Sequence, residues 1–194
     1  EILFNGDRLT ARPFRYIMMN KTANTVCSNT DDTYPSIFKS LEIDKVSELH
    51  VAGRLDADTT GLVLMTDDGR WTFDIITPSK QCKKVYRVGL SRPLADTVIE
   101  QFKQGVQLQG EAKLTLPAEL EIINPTEVLL TITEGKFHQV KRMFLAVHNR
   151  VISLHREKIG EISLDLELGQ WRHLRLDEIN SFFKIERSAS RNDA

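Results

Sequence analysis

The chain has 194 residues, 41% hydrophobic and 27% charged, with a formal net charge of −1, the composition of a globular protein that buries a full core in one domain of two lobes. No apolar run approaches the ~20 residues of a membrane helix, and Glu1 to Thr10 lacks the basic start and apolar centre of a signal peptide. Cys27 and Cys82 form no C-x-x-C pair and cannot make a zinc site alone, which fits reduced thiols in a cytoplasmic protein.

In chain order, Ile2-Leu3-Phe4 reads as a strand remnant followed by an Asn5-Gly6-Asp7 turn and a linker towards Pro13. Arg15 to Lys21 reads as a strand running into a loop. Asp32 to Ser36 is a turn-rich entry to a helix that carries Ile37, Phe38, Leu41, Val46 and Leu49 at roughly helical spacing. Leu62 to Met65 is an apolar run closed by Asp67-Asp68-Gly69, the pattern of a buried strand. Trp71 to Ile76 predicts a short helix that ends before Pro78, because the residue preceding proline disfavours helix.

Val85 to Leu90 reads as a strand. Asp96 is placed to cap a helix with Val98, Ile99 and Phe102 inward, and Gly105 to end it. Ala118 to Ile123 and Glu127 to Thr133 alternate around Asn124-Pro125-Thr126, which predicts an antiparallel hairpin. A strand ending at Gly135 leads to a helix from about His138, with Val140, Met143, Phe144 and Val147 inward. Gly169 to Leu174 closes the last strand, and Asp177 is placed to cap a short helix with Ile179 and Phe182. Beyond Glu186 the chain is polar, a disordered tail by composition.

Charge is distributed unevenly. From Lys136 to Lys158 there are six Lys or Arg and three His, opposed only by Glu157. A local basic surface of this kind binds phosphates even on a nearly neutral molecule.

The stretch richest in chemistry is Gly53 to Gly69, where Asp56 follows Arg54-Leu55 and precedes Asp58-Thr59-Thr60-Gly61. Short polar residues here fit a plain turn. Asp56, Asp58, Thr60, Gly61 and Asp67 also fall at positions 1, 3, 5, 6 and 12 of a calcium loop, but position 9 is Leu64 and no helix patterns flank both sides. The Asp-x-Asp-x-Thr spacing resembles the nucleophile loop of magnesium-dependent haloacid-dehalogenase-type phosphatases. That fold requires alternating β and α elements, which this chain does not show.

Arg54-Leu55-Asp56 with Asp58-Thr59-Thr60-Gly61-Leu62 resembles the catalytic motif of pseudouridine synthases, in the RsuA-like group that modifies ribosomal RNA. Three further blocks agree in order: Lys84-x-Tyr86, Glu134-Gly135-Lys136-Phe137-His138-Gln139-Val140-Lys141-Arg142-Met143, and Leu154-His155-Arg156-Glu157-Lys158-Ile159-Gly160. Asn20-Lys21 resembles an Asn-Lys-Pro block, with Thr22 in place of the proline. The group carries a small S4 RNA-binding domain ahead of its catalytic part, for which residues 1–14 leave no room. They are read as a linker or the remnant of a preceding domain, residues 15–186 as the catalytic domain, and residues 187–194 as the tail.

The resemblance implies an α+β fold with a mixed, largely antiparallel sheet, flanking helices and a central catalytic cleft. It implies isomerisation of uridine to pseudouridine with neither cofactor nor metal. Asp56 is the implied catalytic carboxylate, acting as a nucleophile on the sugar or as a base, with Lys141 or Arg142 as its cation and Tyr86 against the base. Base flipping follows from the chemistry, because a stacked uridine cannot reach a carboxylate. Arg54 is placed to contact backbone or fill the vacated space. Lys21, Lys83, Lys84, Lys136, His138, Gln139, Arg156 and Lys158 are the expected RNA-binding residues.

The implied partner is 16S ribosomal RNA in a partly assembled small subunit, the implied target uridine 516, and the implied state a monomer. A large-subunit RNA target, a phosphatase and a non-catalytic RNA-binding module are the alternatives.

Overall fold

The computed structural model describes residues 2–4, 7–9 and 13–183. The expected turn at Asn5-Gly6 and the tail from residue 187 lie outside the described residues. Two short strands, β1 (Ile2–Phe4) and β2 (Asp7–Leu9), pair with each other. The remaining strands form one nine-stranded sheet.

Its elements are β3 (Tyr16–Lys21), β4 (His50–Val51), β5 (Thr60–Thr66), helix α1 (Gly69–Ile76), β6 (Lys84–Leu90) and helix α2 (Thr97–Gln104). There follow β7 (Glu119–Asn124), β8 (Glu127–Ile132), helix α3 (Gln139–Ala146), β9 (Val151–Ile159), β10 (Ile162–Ser163), β11 (Trp171–His173) and helix α4 (Leu176–Asn180). The spatial order is β11-β3-β5-β9-β6-β8-β7, with β4 beside β5 and β10 beside β9. Every pairing in it is antiparallel except β5 with β9. The expected mixed, largely antiparallel α+β sheet is therefore present.

Strands β3 and β5 are buried on both faces, which is why Ile17-Met18-Met19 and Leu62 to Met65 read as continuous apolar runs rather than alternating ones. Their odd and even residues feed two cores. Ile17, Met19, Val63 and Met65 pack with Val88, Phe102, Leu130 and Phe144 on one face. Met18, Leu62 and Leu64 pack with Trp71, Ile75, Ile159 and Phe182 on the other. Strand β6, by contrast, alternates, with Lys84, Tyr86, Val88 and Leu90 buried.

Helix α1 starts where Asp68 accepts from the Arg70 and Trp71 amides at 3.1 and 3.3 Å, satisfying two of the four free N–H groups of its first turn. Trp71 anchors it, fully buried, edge-on to Tyr16 and Phe182, with its indole N–H donated to the Ile179 carbonyl at 3.2 Å. Helix α2 ends at Gly105, φ +96°.

Three local expectations are corrected. The helix expected after Ser36 is two separate 3-10 turns, Ile37–Ser40 and Val46–Glu48. Leu41 turns extended and Lys45 takes a left-handed conformation, so the chain wraps the core while Ile37, Phe38, Leu41 and Leu49 are still buried. The spacing recorded burial, not helical continuity. Asp96 occupies the N-terminal boundary of α2 but itself lies in helical conformation and makes no capping bond. Asp177 sits inside the first turn of α4, where Glu178 accepts from the Arg175 amide at 2.9 Å.

The parallel pairing of β5 with β9 is Thr60 with His155 and Gly61 with Arg156. It joins the two halves of the sheet, and Gly61 makes it possible. Gly61 has φ +113°, and a Cβ there would lie 2.2 Å from the Arg156 carbonyl oxygen. Gly61→Ala is therefore expected to destabilise the fold by about 3 kcal/mol through strain and separation of the two strands. Urea unfolding checks this, and a loss below about 0.5 kcal/mol would contradict the close approach.

Candidate active site

The segment from Ala52 to Thr59 crosses from β4 to β5 over the junction of the sheet halves. Two buried cations hold it at both ends. At the start, Arg156 is 1% exposed. It donates from Nη2 to the Gly53 carbonyl at 2.8 Å, from Nε to the Leu62 carbonyl at 2.9 Å, and from Nη1 to the Tyr86 hydroxyl at 3.4 Å. A guanidinium stays charged at any working pH, so these acceptors are what make its burial tolerable.

At the far end, fully buried Lys21 donates to the carbonyls of Thr22, Ala57 and Thr59 at 3.0, 3.0 and 2.8 Å. Burial lowers the pKa of its ammonium, while Asp58 and Asp56 act in the opposite direction. The Asn24 amide donates to the Ala57 carbonyl at 2.8 Å, and the Thr59 amide closes a turn on the Asp56 carbonyl at 3.1 Å. Thr60 Oγ1 meets His155 Nδ1 at 2.7 Å across the parallel junction, and burial lowers the pKa of that imidazole. The loop backbone is thus pinned on both sides of Asp56.

The opposite wall is the loop from Glu134 to His138 ahead of α3. Gln139 Nε2 donates to Glu134 Oε1 at 2.9 Å, and Gln139 Oε1 accepts from the Lys136 amide at 3.0 Å. Glu134 Oε1 also accepts from the Leu116 amide at 2.8 Å. His138, φ +49°, is turned into the left-handed region at the end of this loop. The tight turn brings His138 Nε2 to 3.5 Å from Asp56 Oδ1.

Lys141, in the first turn of α3, places Nζ 3.8 Å from Asp56 Oδ2 and 2.8 Å from Asp58 Oδ1. Arg142 points elsewhere, to the carbonyls of Phe137 and Gln109 at 2.9 and 2.8 Å and to Glu111 at 3.3 Å. Of the two cations open in the sequence, Lys141 is the one beside Asp56. The tighter partner of Lys141, Asp58, was missed. A second carboxylate two residues after the first was the available signal.

Asp56 stands between two hollows. The inner one, of about 90 Å³, is walled by Tyr86, Ile132, Val140 and Leu154 and roofed by Arg54 and His138. The outer one, of about 670 Å³, runs from Asp56 past Arg54 to Tyr34 and Phe137. Tyr86 is 8% exposed, with its ring on the inner hollow and its hydroxyl on Arg156. The side chain of Asp56 remains 37% exposed, open to a ligand from either hollow.

The expected RNA-binding residues divide. Arg54 and His138 are exposed at the mouth, and Lys136 lines it, 3.7 Å from Glu111. Lys83 is exposed, 3.6 Å from Glu119, and Lys158 is half-buried on β9. Lys21, Lys84, Gln139 and Arg156 are buried and do not present their charge or amide to a surface ligand. Lys84 shares the buried face of β6 with Tyr86, its pKa lowered by burial. The motif positions of Lys21, Gln139 and Arg156 are instead explained by the bonds that hold the two loops.

A carboxylate at a concave mouth, flanked by an ammonium and an imidazole and backed by a tyrosine wall, suits attack or proton removal at a sugar beside a flat base. The family model described as RNA pseudouridylate synthase matches residues 15–146, and the chain belongs to that family. It is 54% identical over 184 residues to the ribosomal small subunit pseudouridine synthase A of Escherichia coli, covering 93% of this chain and 80% of that protein. Its counterpart in Vibrio cholerae is 50% identical over 183 residues, covering 93% and 79%.

A crystal structure of a pseudouridylate synthase superposes with a TM-score of 0.85 at 46% identity, covering 89% of this chain and 75% of that one. The human RNA pseudouridylate synthase domain containing 1, at 14% identity and a TM-score of 0.55, shares the fold. The phosphatase and calcium-loop readings of Asp56 and Asp58 end here, on fold and family together.

The hydrogen bond from Lys141 holds the Asp58 carboxyl below its ordinary pKa. A depressed folded-state pKa contributes stability above the ordinary value, lost as pH falls through the depressed one. Lys141→Met is expected to move the Asp58 midpoint upward, towards the ordinary carboxylate value. Carbon-detected NMR titration of the side-chain carboxyls checks this, and an unchanged midpoint would contradict the pairing.

Proposed function

We propose that this protein converts one uridine of small-subunit ribosomal RNA to pseudouridine, with Asp56 as its catalytic carboxylate and uridine 516 of 16S RNA as its target. The observation that carries the reading is the position of Asp56, beside Lys141 and His138 at the edge of the hollow that Tyr86 walls. The names of the relatives from Escherichia coli and Vibrio cholerae support a small-subunit substrate. The identity with them supports the same for this chain.

The flipped base enters the inner hollow against Tyr86, and its ribose lies over Asp56. The bond from base N1 to sugar C1′ breaks, the base turns, and C5 bonds to C1′. The C5 proton then leaves to solvent while N1 takes one up, so the reaction is an isomerisation without redox change. Asp56 acts at C1′ as a nucleophile or at C2′ as a base, and its position against the sugar serves either path. Lys141, 3.8 Å from Asp56 Oδ2, and His138, 3.5 Å from Oδ1, hold the carboxylate in place beside the sugar. No cofactor or metal is required.

Arg54, exposed at the mouth, occupies the place the flipped base leaves or contacts its phosphate. Lys136, Lys83 and Lys158 add phosphate contacts, so affinity falls with salt. The substrate is RNA in a partly assembled small subunit, and the enzyme acts as a monomer in the cytoplasm.

The test is a pseudouridine map, by carbodiimide treatment and primer extension, of unmodified 16S RNA and of partly assembled subunits. The parent chain is expected to give one new stop, at uridine 516. Asp56→Asn is expected to lose roughly 10³-fold or more in rate with RNA affinity little changed. EDTA treatment of the enzyme is expected to leave the rate intact. Stops only in large-subunit RNA would overturn the target, and an active Asp56→Asn variant would overturn the catalytic residue.

A further inference from the structure

The outer hollow contains a feature that the isomerisation chemistry does not use. Phe137 is 76% exposed on the loop that carries His138. A large aromatic ring left in water forgoes the favourable burial such rings usually achieve, and the loop is otherwise tightly held by Gln139 and Glu134. The ring is also ordered by a neighbour. It stacks on the His138 imidazole with centroids 3.8 Å apart and planes 21° apart, and that imidazole faces Asp56 at 3.5 Å.

Tyr34, 40% exposed, lines the same hollow, so two aromatic rings line a cleft continuous with Asp56. Arg54, Lys136 and Lys141 supply its cationic rim. Exposed rings set among cations are the pattern by which proteins hold unpaired nucleotides, rings for bases and cations for phosphates. A protein partner would be met by a wider apolar patch with fewer charges at its centre.

We propose that the outer hollow is a second base subsite, in which Phe137 stacks on the unpaired nucleobase adjacent to the flipped uridine and Tyr34 bounds it. This rests on the RNA-modifying function proposed above. Flipping one nucleotide unstacks its neighbour, and Phe137 replaces the lost stacking. The stack from that neighbour through Phe137 to His138 also fixes the imidazole beside Asp56 when RNA is bound. The subsite tolerates any base, since every base offers a flat face, and it acts mainly on affinity.

The test is a cycle of protein and RNA changes on a 16S RNA fragment containing the target uridine, intact or abasic at either neighbouring nucleotide. Dissociation constants and single-turnover pseudouridine formation are measured. With the parent chain, one of the two abasic substitutions is expected to weaken binding about tenfold. Phe137→Ala is expected to weaken binding of the intact fragment by a similar factor, with no further loss on the abasic one. Phe137→Trp is expected to retain parent affinity.

Because Phe137 is exposed, its replacement spares the core. Parent-like binding by Phe137→Ala, or losses that multiply when the two changes are combined, would overturn the subsite. Failure of the parent chain to form pseudouridine in any small-subunit RNA would overturn the function itself, and the subsite with it. That failure is visible before any variant is made.

Discussion

The structure depends on two cations that face inward. Arg156 and Lys21 are among the largest fully buried side chains of the described residues, and both donate hydrogen bonds to backbone carbonyls of the loop that carries Asp56. Burying a charge is costly unless every donor is met. Here the acceptors include carbonyls of the loop itself, so charge and loop satisfy each other. The loop has no regular secondary structure of its own, and these bonds are what give it a fixed shape.

The same constraint explains the junction. Strands β5 and β9 are paired through two residue pairs, Thr60 with His155 and Gly61 with Arg156. Gly61 permits the approach, His155 and Thr60 bond across it, and Arg156 extends from β9 under the loop to Leu62 and Gly53. The guanidinium also reaches the Tyr86 hydroxyl on β6. One side chain therefore connects the strand after the Asp56 loop, the start of that loop and the tyrosine that walls the hollow. Preorganisation of this kind places a carboxylate without a cost at the moment of reaction. On the facing wall, Gln139 and Glu134 do the same for His138 and Lys141.

Much of the fold could be read from the residues, because burial leaves periodic marks. The doubly buried β3 and β5, the alternating β6, and the β7–β8 hairpin around Asn124-Pro125-Thr126 all follow from apolar spacing and turn chemistry. The segment from Ile37 to Leu49 was misread, since its apolar spacing matched a helix while Leu41 and Lys45 break the backbone into two turns. In the site, the structure brings Asp56, Tyr86 and Lys141 around one hollow, a juxtaposition of residues far apart in the chain that periodicity alone does not give. Arg156, Lys21, Lys84 and Gln139 looked like surface contacts because residue type reports charge and polarity, not direction. Only the tertiary structure shows that they point inward, just as it shows Phe137 pointing out.

The central claim is that buried Arg156 and Lys21 fix the Asp56 loop. The most direct measurement is residue-resolved amide hydrogen exchange in the parent chain, in Arg156→Met and in Lys21→Met. Both variants are predicted to lose protection about tenfold or more from Ala57 to Leu62, as loss of one buried charged hydrogen bond implies, with the β7–β8 hairpin unchanged. Unaltered protection in the loop, or a uniform loss across the whole sheet, would contradict the account.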